Sequence, residues 1–123
     1  MNAYVMVMVG GAIGAALRYG TGLWVKGFGA PAFLATGFVN LLGSFVIGIV
    51  FAILVVSRNE PSPYAPLIIT GLLGGFTTFS AFSLEMMQFV TTGRFAMAFL
   101  YALLSVGLGL LAAYLGYVLA IKL

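Results

Sequence analysis

Gly71-Leu72-Leu73-Gly74-Gly75-Phe76-Thr77-Thr78-Phe79-Ser80-Ala81-Phe82-Ser83-Leu84-Glu85 is the stretch that decides how this chain is built. It lies within an apolar run from about Tyr64 to Thr92, longer than one membrane crossing needs. A glycine pair followed by two β-branched threonines is poor helix at mid-span. The helix is therefore expected to break near Gly74–Thr78. A break frees backbone carbonyls and N–H groups where lipid cannot bond them, so it is tolerated only inside protein or beside a water-filled path. Freed carbonyls suit a hard cation, whereas N–H groups and hydroxyls suit an anion. Discontinuous helices often build ion sites at the bilayer midplane.

Outward from this segment the chain is almost wholly apolar. Of 123 residues, 63% are hydrophobic and 6% charged, and the mean hydropathy is +1.23. A soluble domain this small keeps too much surface in water to hide such a composition. Cytosolic enzymes and extracellular modules are thereby excluded, and an all-α integral membrane protein remains. Three further runs complete it, at about Tyr4–Trp24, Pro31–Val56 and Phe95–Ile121, giving one four-helix transmembrane domain over residues 1–123. Continuous apolar runs do not alternate as barrel strands would, so the spans are helices. Met1-Asn2 offers no basic leader, and the first run is too long for a signal peptide.

The missing residue types narrow the chemistry. With no Cys and no His, disulfides, thiolate metal sites and an imidazole base are all absent. Glu60 and Glu85 are the only acidic residues, too few for a carboxylate metal cage. The net charge of +3 is spread along the chain without a basic patch, so nucleic acid is not expected as a partner. Arg58 and Lys122 fall on the side of the termini, Lys26 and Arg94 on the other. This even count specifies no orientation. It is read equally well as too few charges to judge or as a chain that inserts both ways and pairs antiparallel.

Polar residues at membrane depth are costly and each asks for a partner or a task. Arg18, one turn after Gly14, and Asn40, one turn before Ser44, stand out. Ser44 is adequately explained by helix–helix hydrogen bonding, and the Gly10/Gly14, Ser44/Gly48 and Ser105/Gly109 pairs by close helix packing. Phe76, Phe79 and Phe82 recur at three-residue spacing with hydroxyls between them. Such a stripe is usually core, but ring edges carry positive potential. Together with hydroxyl donors they could replace an anion's water without a fixed charge that would trap it. Glu85, one turn past Phe82, is left open between pairing with a hydroxyl and pairing with a base.

The run Gly-Gly-x-Thr-Thr-Phe-Ser-x-Phe-Ser-x-Glu from Gly74 to Glu85 resembles the signature of the Fluc (CrcB) fluoride channels. Gly14-x-x-x-Arg18 and Asn40-Leu41-x-Gly43 are similar to that family's other two motifs, in the same order, so the likeness covers the whole chain. It implies an antiparallel, dual-topology homodimer in the inner (plasma) membrane that passively exports fluoride and so confers fluoride resistance. Two pores per dimer would be lined by both subunits. The implied pore residues are Phe79 and Phe82, Asn40 donating toward the ion, Ser80, Tyr101 and Ser105, with Arg18 in a vestibule. Backbone carbonyls of Gly74 and Thr77 would hold a structural Na+ at the dimer centre. Ala81, Gly109 and Ala113 depart from the family, which often carries hydroxyl residues there, so part of the polar track is missing.

Two other readings compete with this one. A small multidrug-resistance-like transporter relies on a buried Glu in its first helix, where this chain has Arg18. A non-conducting structural subunit has no need of a broken helix.

Overall fold

In a computed structural model that describes every residue from Met1 to Leu123, the chain is helical throughout. Helix α1 spans Ala3–Gly27 and is opened by Asn2, whose side chain accepts the Tyr4 backbone N–H at 2.7 Å. Helix α2 spans Ala32–Phe51 and runs on through a π-helical turn, Ala52–Val56. Helix α3 consists of a π-helical stretch, Pro66–Leu73, followed by one α turn, Gly74–Phe76. Helices α4 and α5 span Phe79–Thr91 and Phe95–Lys122. Together they form four stretches long and apolar enough to cross a membrane, Ala3–Gly27, Ala32–Val56, Pro66–Thr91 and Phe95–Lys122. The chain is a multi-pass membrane protein, and its even number of crossings brings both termini to one side.

The third crossing is broken between α3 and α4. Thr77 (φ −84°, ψ 160°) and Thr78 (φ −152°, ψ 122°) are both extended. The break is narrower than the Gly74–Thr78 window expected from sequence. Gly74 keeps helical angles (φ −63°, ψ −36°), and Gly74–Phe76 continue the helix. The β-branched pair makes the break, while Gly75 before it serves packing.

That packing is a glycine interlock. Helix α1 presents Gly10 and Gly14, and α3 presents Gly71 and Gly75, each pair one turn apart. A Cβ on Gly10 would collide with the Leu67 carbonyl, and one on Gly14 with the Leu72 carbonyl. On α3, a Cβ at Gly75 would lie 2.6 Å from the Gly11 carbonyl. Backbones this close gain dispersion contacts that larger side chains would forbid, the usual source of cohesion between helices in lipid. Helices α2 and α5 approach similarly, Gly48 meeting the Ala113 carbonyl and Gly116 the Phe45 carbonyl. Ser105 and Gly109 do not form such a seam: a Cβ on Gly109 would find only the Ser44 hydroxyl, 3.7 Å away.

Helices α4 and α5 are joined by a tight turn. Gly93 adopts φ 75°, Arg94 N–H bonds the Phe89 carbonyl at 2.7 Å, and Gly93 N–H bonds that of Val90. The Arg94 guanidinium lies 5.1 Å from the Phe89 ring centre. This turn folds α4 back on α5 and encloses an apolar cluster of Phe89, Ala98 and Tyr101, with Phe33 and Phe82 packed against it. Even so, only 17 of 123 residues are buried. Large apolar side chains on all four crossings face outward, among them Leu17, Phe51, Phe79 and Leu110.

The interlock makes a test with opposite signs on one helix. Gly14→Ala should destabilise the protein by about 1–3 kcal/mol through overpacking. Gly20→Ala, whose Cβ meets open space, should be neutral or stabilising by up to about 1 kcal/mol. Thermal unfolding in detergent would compare the two, and equal effects would contradict the interlock.

Candidate functional site at the helix break

Two peptide groups at the break sit at membrane depth with no helix to bond them. Asn40 meets this need from α2. Its Oδ1 accepts the Thr78 backbone N–H at 2.7 Å, and its Nδ2 donates to the Thr78 carbonyl at 2.9 Å. One side-chain amide thus replaces both hydrogen bonds that the helix would have supplied at this residue. Thr78 then starts α4: its Oγ1 accepts the Ala81 N–H at 3.2 Å, a helix N-cap, and lies 3.3 Å from Ser80 Oγ. On the α3 side, the Thr77 N–H and hydroxyl both donate to the Leu73 carbonyl, at 3.0 and 2.9 Å. The Thr77 carbonyl accepts no hydrogen bond within the protomer.

A cavity of about 350 Å³ opens beside this break. Asn40, Ser44, Phe79, Phe82, Ser105, Gly74 and Thr77 are among its lining residues, and no charged side chain is. Asn40 spends one Nδ2 hydrogen on Thr78 and keeps the other. The rings of Phe79 and Phe82 are 5.7 Å apart, centre to centre, inclined at 40°. Phe82 is anchored edge-on against Tyr101 at 5.0 Å. Phe79 is 79% exposed, so the cavity lacks a wall on its side. Amide, hydroxyl and ring-edge donors without a formal charge are a set that can solvate a small anion and release it.

Not every candidate residue lies here. Tyr101 lines an adjoining, mostly apolar cavity of about 280 Å³ that shares Asn40 and Ser105 with the first. Ser80 is exposed and points along the Thr78 hydroxyl. Arg18 lines a third cavity, of about 570 Å³, together with Lys26, Thr36 and Thr78. Ala81 lines that same basic cavity, and Phe76 packs near Gly43 instead of entering any of the three.

Glu85, whose role was open, is buried between two hydroxyls. Thr36 Oγ1 donates to Oε1, and Tyr101 OH donates to Oε2 at 2.7 Å. Each carboxylate oxygen therefore has a donor, as burial of this group demands. The arrangement answers the alternative left by the sequence in favour of hydroxyls over a base. Thr36 itself escaped notice, although it stands one turn before Asn40 and two before Ser44. That four-residue spacing is the signal that identifies it as part of one polar stripe on α2. Lys26 and Thr78 line cavities as well; the sequence marks them only as a loop charge and as one of the two threonines of the break.

Comparison with known proteins agrees with this architecture. The family model for CrcB-like protein, Camphor Resistance (CrcB), matches residues 5–117. A relative from Thermus thermophilus named "Fluoride-specific ion channel FluC" is 47% identical over 119 residues, 95% of this chain and 92% of its own. Relatives of the same name from Erythrobacter litoralis and Rhizobium meliloti are 46% and 41% identical. They cover 97% and 94% of this chain and 92% and 94% of their own lengths. With the family model matched over residues 5–117 and these relatives 41–47% identical over nearly its whole length, this chain belongs to the CrcB family.

Proposed function

We propose that this protein is a fluoride-selective channel that lets cytoplasmic fluoride leave the cell passively. The observation that carries the reading is the uncharged cavity at the helix break, where Asn40, Phe79, Phe82 and Ser105 converge. Fluoride loses its water only where donors replace it, and it leaves only if none of them holds it as a full charge would. The names of the relatives support this choice of ion. Fluoride enters an acidified cell as neutral HF and dissociates inside. A negative interior then drives the anion outward by about 2.3 kcal/mol per 100 mV. No catalytic step is involved, and the protein acts as a channel in the plasma membrane.

The working unit in this proposal is an antiparallel homodimer with two pores. Support comes from the missing wall beside Phe79 and from the balanced loop charges, Arg58 and Lys122 against Lys26 and Arg94. In each pore Asn40 donates its remaining N–H, Phe79 and Phe82 offer ring edges, and Ser80, Tyr101 and Ser105 extend the polar route. Arg18 concentrates anions in the vestibule formed by the basic cavity. A structural Na+ at the dimer centre would be held by the carbonyls of Gly74 and Thr77. The unbonded Thr77 carbonyl fits this role, because a hard cation takes oxygen ligands. The chain has no cluster of acidic, His or Cys side chains to offer instead. When bound, the ion would tie the two broken helices together.

Purified protein in liposomes should release fluoride and retain chloride; equal release of both would overturn the reading. Phe79→Ile and Phe82→Ile keep bulk and apolarity but remove the ring quadrupole. Each should slow fluoride efflux by about tenfold or more, about 1.4 kcal/mol in the barrier, with assembly intact. Asn40→Asp should block, and Phe76→Ile should do less than either pore variant. Parent rates in both pore variants would reduce the rings to packing. For topology, Asn59→Cys in the otherwise cysteine-free chain should be labelled from both membrane faces. Labelling from one face alone would remove dual topology.

A further inference from the structure

The basic cavity and the aromatic cavity have one lining residue in common, Thr78. It is 9% exposed and lies between Arg18 and Lys26 on one side and Phe79 and Phe82 on the other. Its backbone N–H and carbonyl are both taken by Asn40, so the residue is held rigidly. Its Oγ1 is used as an acceptor, by the Ala81 N–H. The hydroxyl hydrogen has one acceptor within the protein, Ser80 Oγ at 3.3 Å, and in that contact the exposed Ser80 hydroxyl can equally be the donor, which leaves the Thr78 hydrogen to an anion. Two other side-chain hydroxyls line the basic cavity, and neither is comparable: that of Tyr19 belongs to a residue 71% exposed and does not line the aromatic cavity. Thr36 Oγ1 is committed to Glu85, and behind it stands that carboxylate. An anion drawn in by Arg18 and Lys26 thus meets, at the boundary, the one hydroxyl that lines both cavities. One step further it meets the free Nδ2 hydrogen of Asn40.

We propose that Thr78 is the hand-off point between the two cavities, a path residue whose hydroxyl donates to the anion while Asn40 positions it. The inference rests on the fluoride reading for the identity of the ion, but not for the existence of an anion route. Asn40 accordingly has two tasks: it holds the break and it places the donor.

The test compares two side chains that both cap a helix N-terminus well, Asn and Asp. Thr78→Asn retains a neutral donor at the boundary and should keep fluoride efflux within about threefold of the parent, whereas Thr78→Asp replaces it with a like charge and should cut efflux by about tenfold or more. Dimer assembly should be unchanged in both. Equal efflux through the two variants overturns the proposal.

A second measurement does not depend on fluoride. The thiol introduced by Thr78→Cys should react with a small sulfonated methanethiosulfonate. Leu110→Cys, which faces outward and lines none of the three cavities, should not. Reaction should block efflux, and thiol reduction should restore it. An unreactive thiol at position 78, or one that reacts without reducing efflux, also overturns the proposal. Were the parent to pass no fluoride while the introduced thiol still reacted, the fluoride reading would fall and the anion route would stand.

Discussion

The pairing of the Asn40 side-chain amide with the Thr78 peptide is the interaction on which the rest of this structure depends. A peptide group exposed at membrane depth costs several kcal/mol if it bonds nothing. The chain departs from helix for two residues, Thr77 and Thr78, and covers both polar groups of the second with one side chain at 2.7 and 2.9 Å. Everything near the site takes its position from this. The N-cap by Thr78 sets where α4 starts, and the start of α4 sets where Phe79, Phe82 and Glu85 point. A break without Asn40 would have every reason to close into continuous helix, and the aromatic cavity beside it would be lost.

Two kinds of residue in the segment Gly74 to Thr78 look alike as helix breakers and behave differently. Gly75 stays helical with its missing Cβ needed for α1, against the Gly11 carbonyl, while Gly74 keeps helical angles with room for a Cβ. Thr78 leaves the helix with Asn40 as partner for both its peptide groups, and only the Thr77 carbonyl goes without one inside the protomer. Helix propensity alone ranks glycine as the weaker helix former; tertiary contact reverses the outcome here. This is why a break was legible in the sequence and its two residues were not. The four apolar crossings were equally plain, since length and hydropathy decide them without reference to neighbours. The π-helical turns at Ala52–Val56 and Pro66–Leu73 had no signal in composition or spacing.

The site was legible in the same uneven way. Asn40, Phe79 and Phe82 stood out because each is unusual where it sits, and they do share a cavity. Their contacts could not be read, because those run between residues as far apart as Asn40 and Thr78 in the chain. Glu85 illustrates the point. A carboxylate near a proposed anion path would be a repulsive charge, and its own segment offers no partner. The fold brings Thr36 from α2 and Tyr101 from α5 to its two oxygens, and Glu85 lines none of the three cavities. The basic residues are likewise kept apart: Arg18 and Lys26 line their own cavity, and the aromatic one stays uncharged. In the proposed channel, attraction and passage would thus fall in different places, as a route that must both draw in an anion and let it go requires.

The central claim is that the break is held open by Asn40. Site-resolved hydrogen exchange at the Thr78 backbone amide tests it most directly, by nuclear magnetic resonance on the parent protein and on Asn40→Leu in the same lipid. With the amide bonded to Asn40 Oδ1, exchange in the parent should be slow despite the extended backbone at this residue. Asn40→Leu should either raise the rate by about tenfold or more, as the bond is lost, or convert Thr77 and Thr78 to helical chemical shifts. An unchanged exchange rate with unchanged, extended shifts in Asn40→Leu would contradict the account.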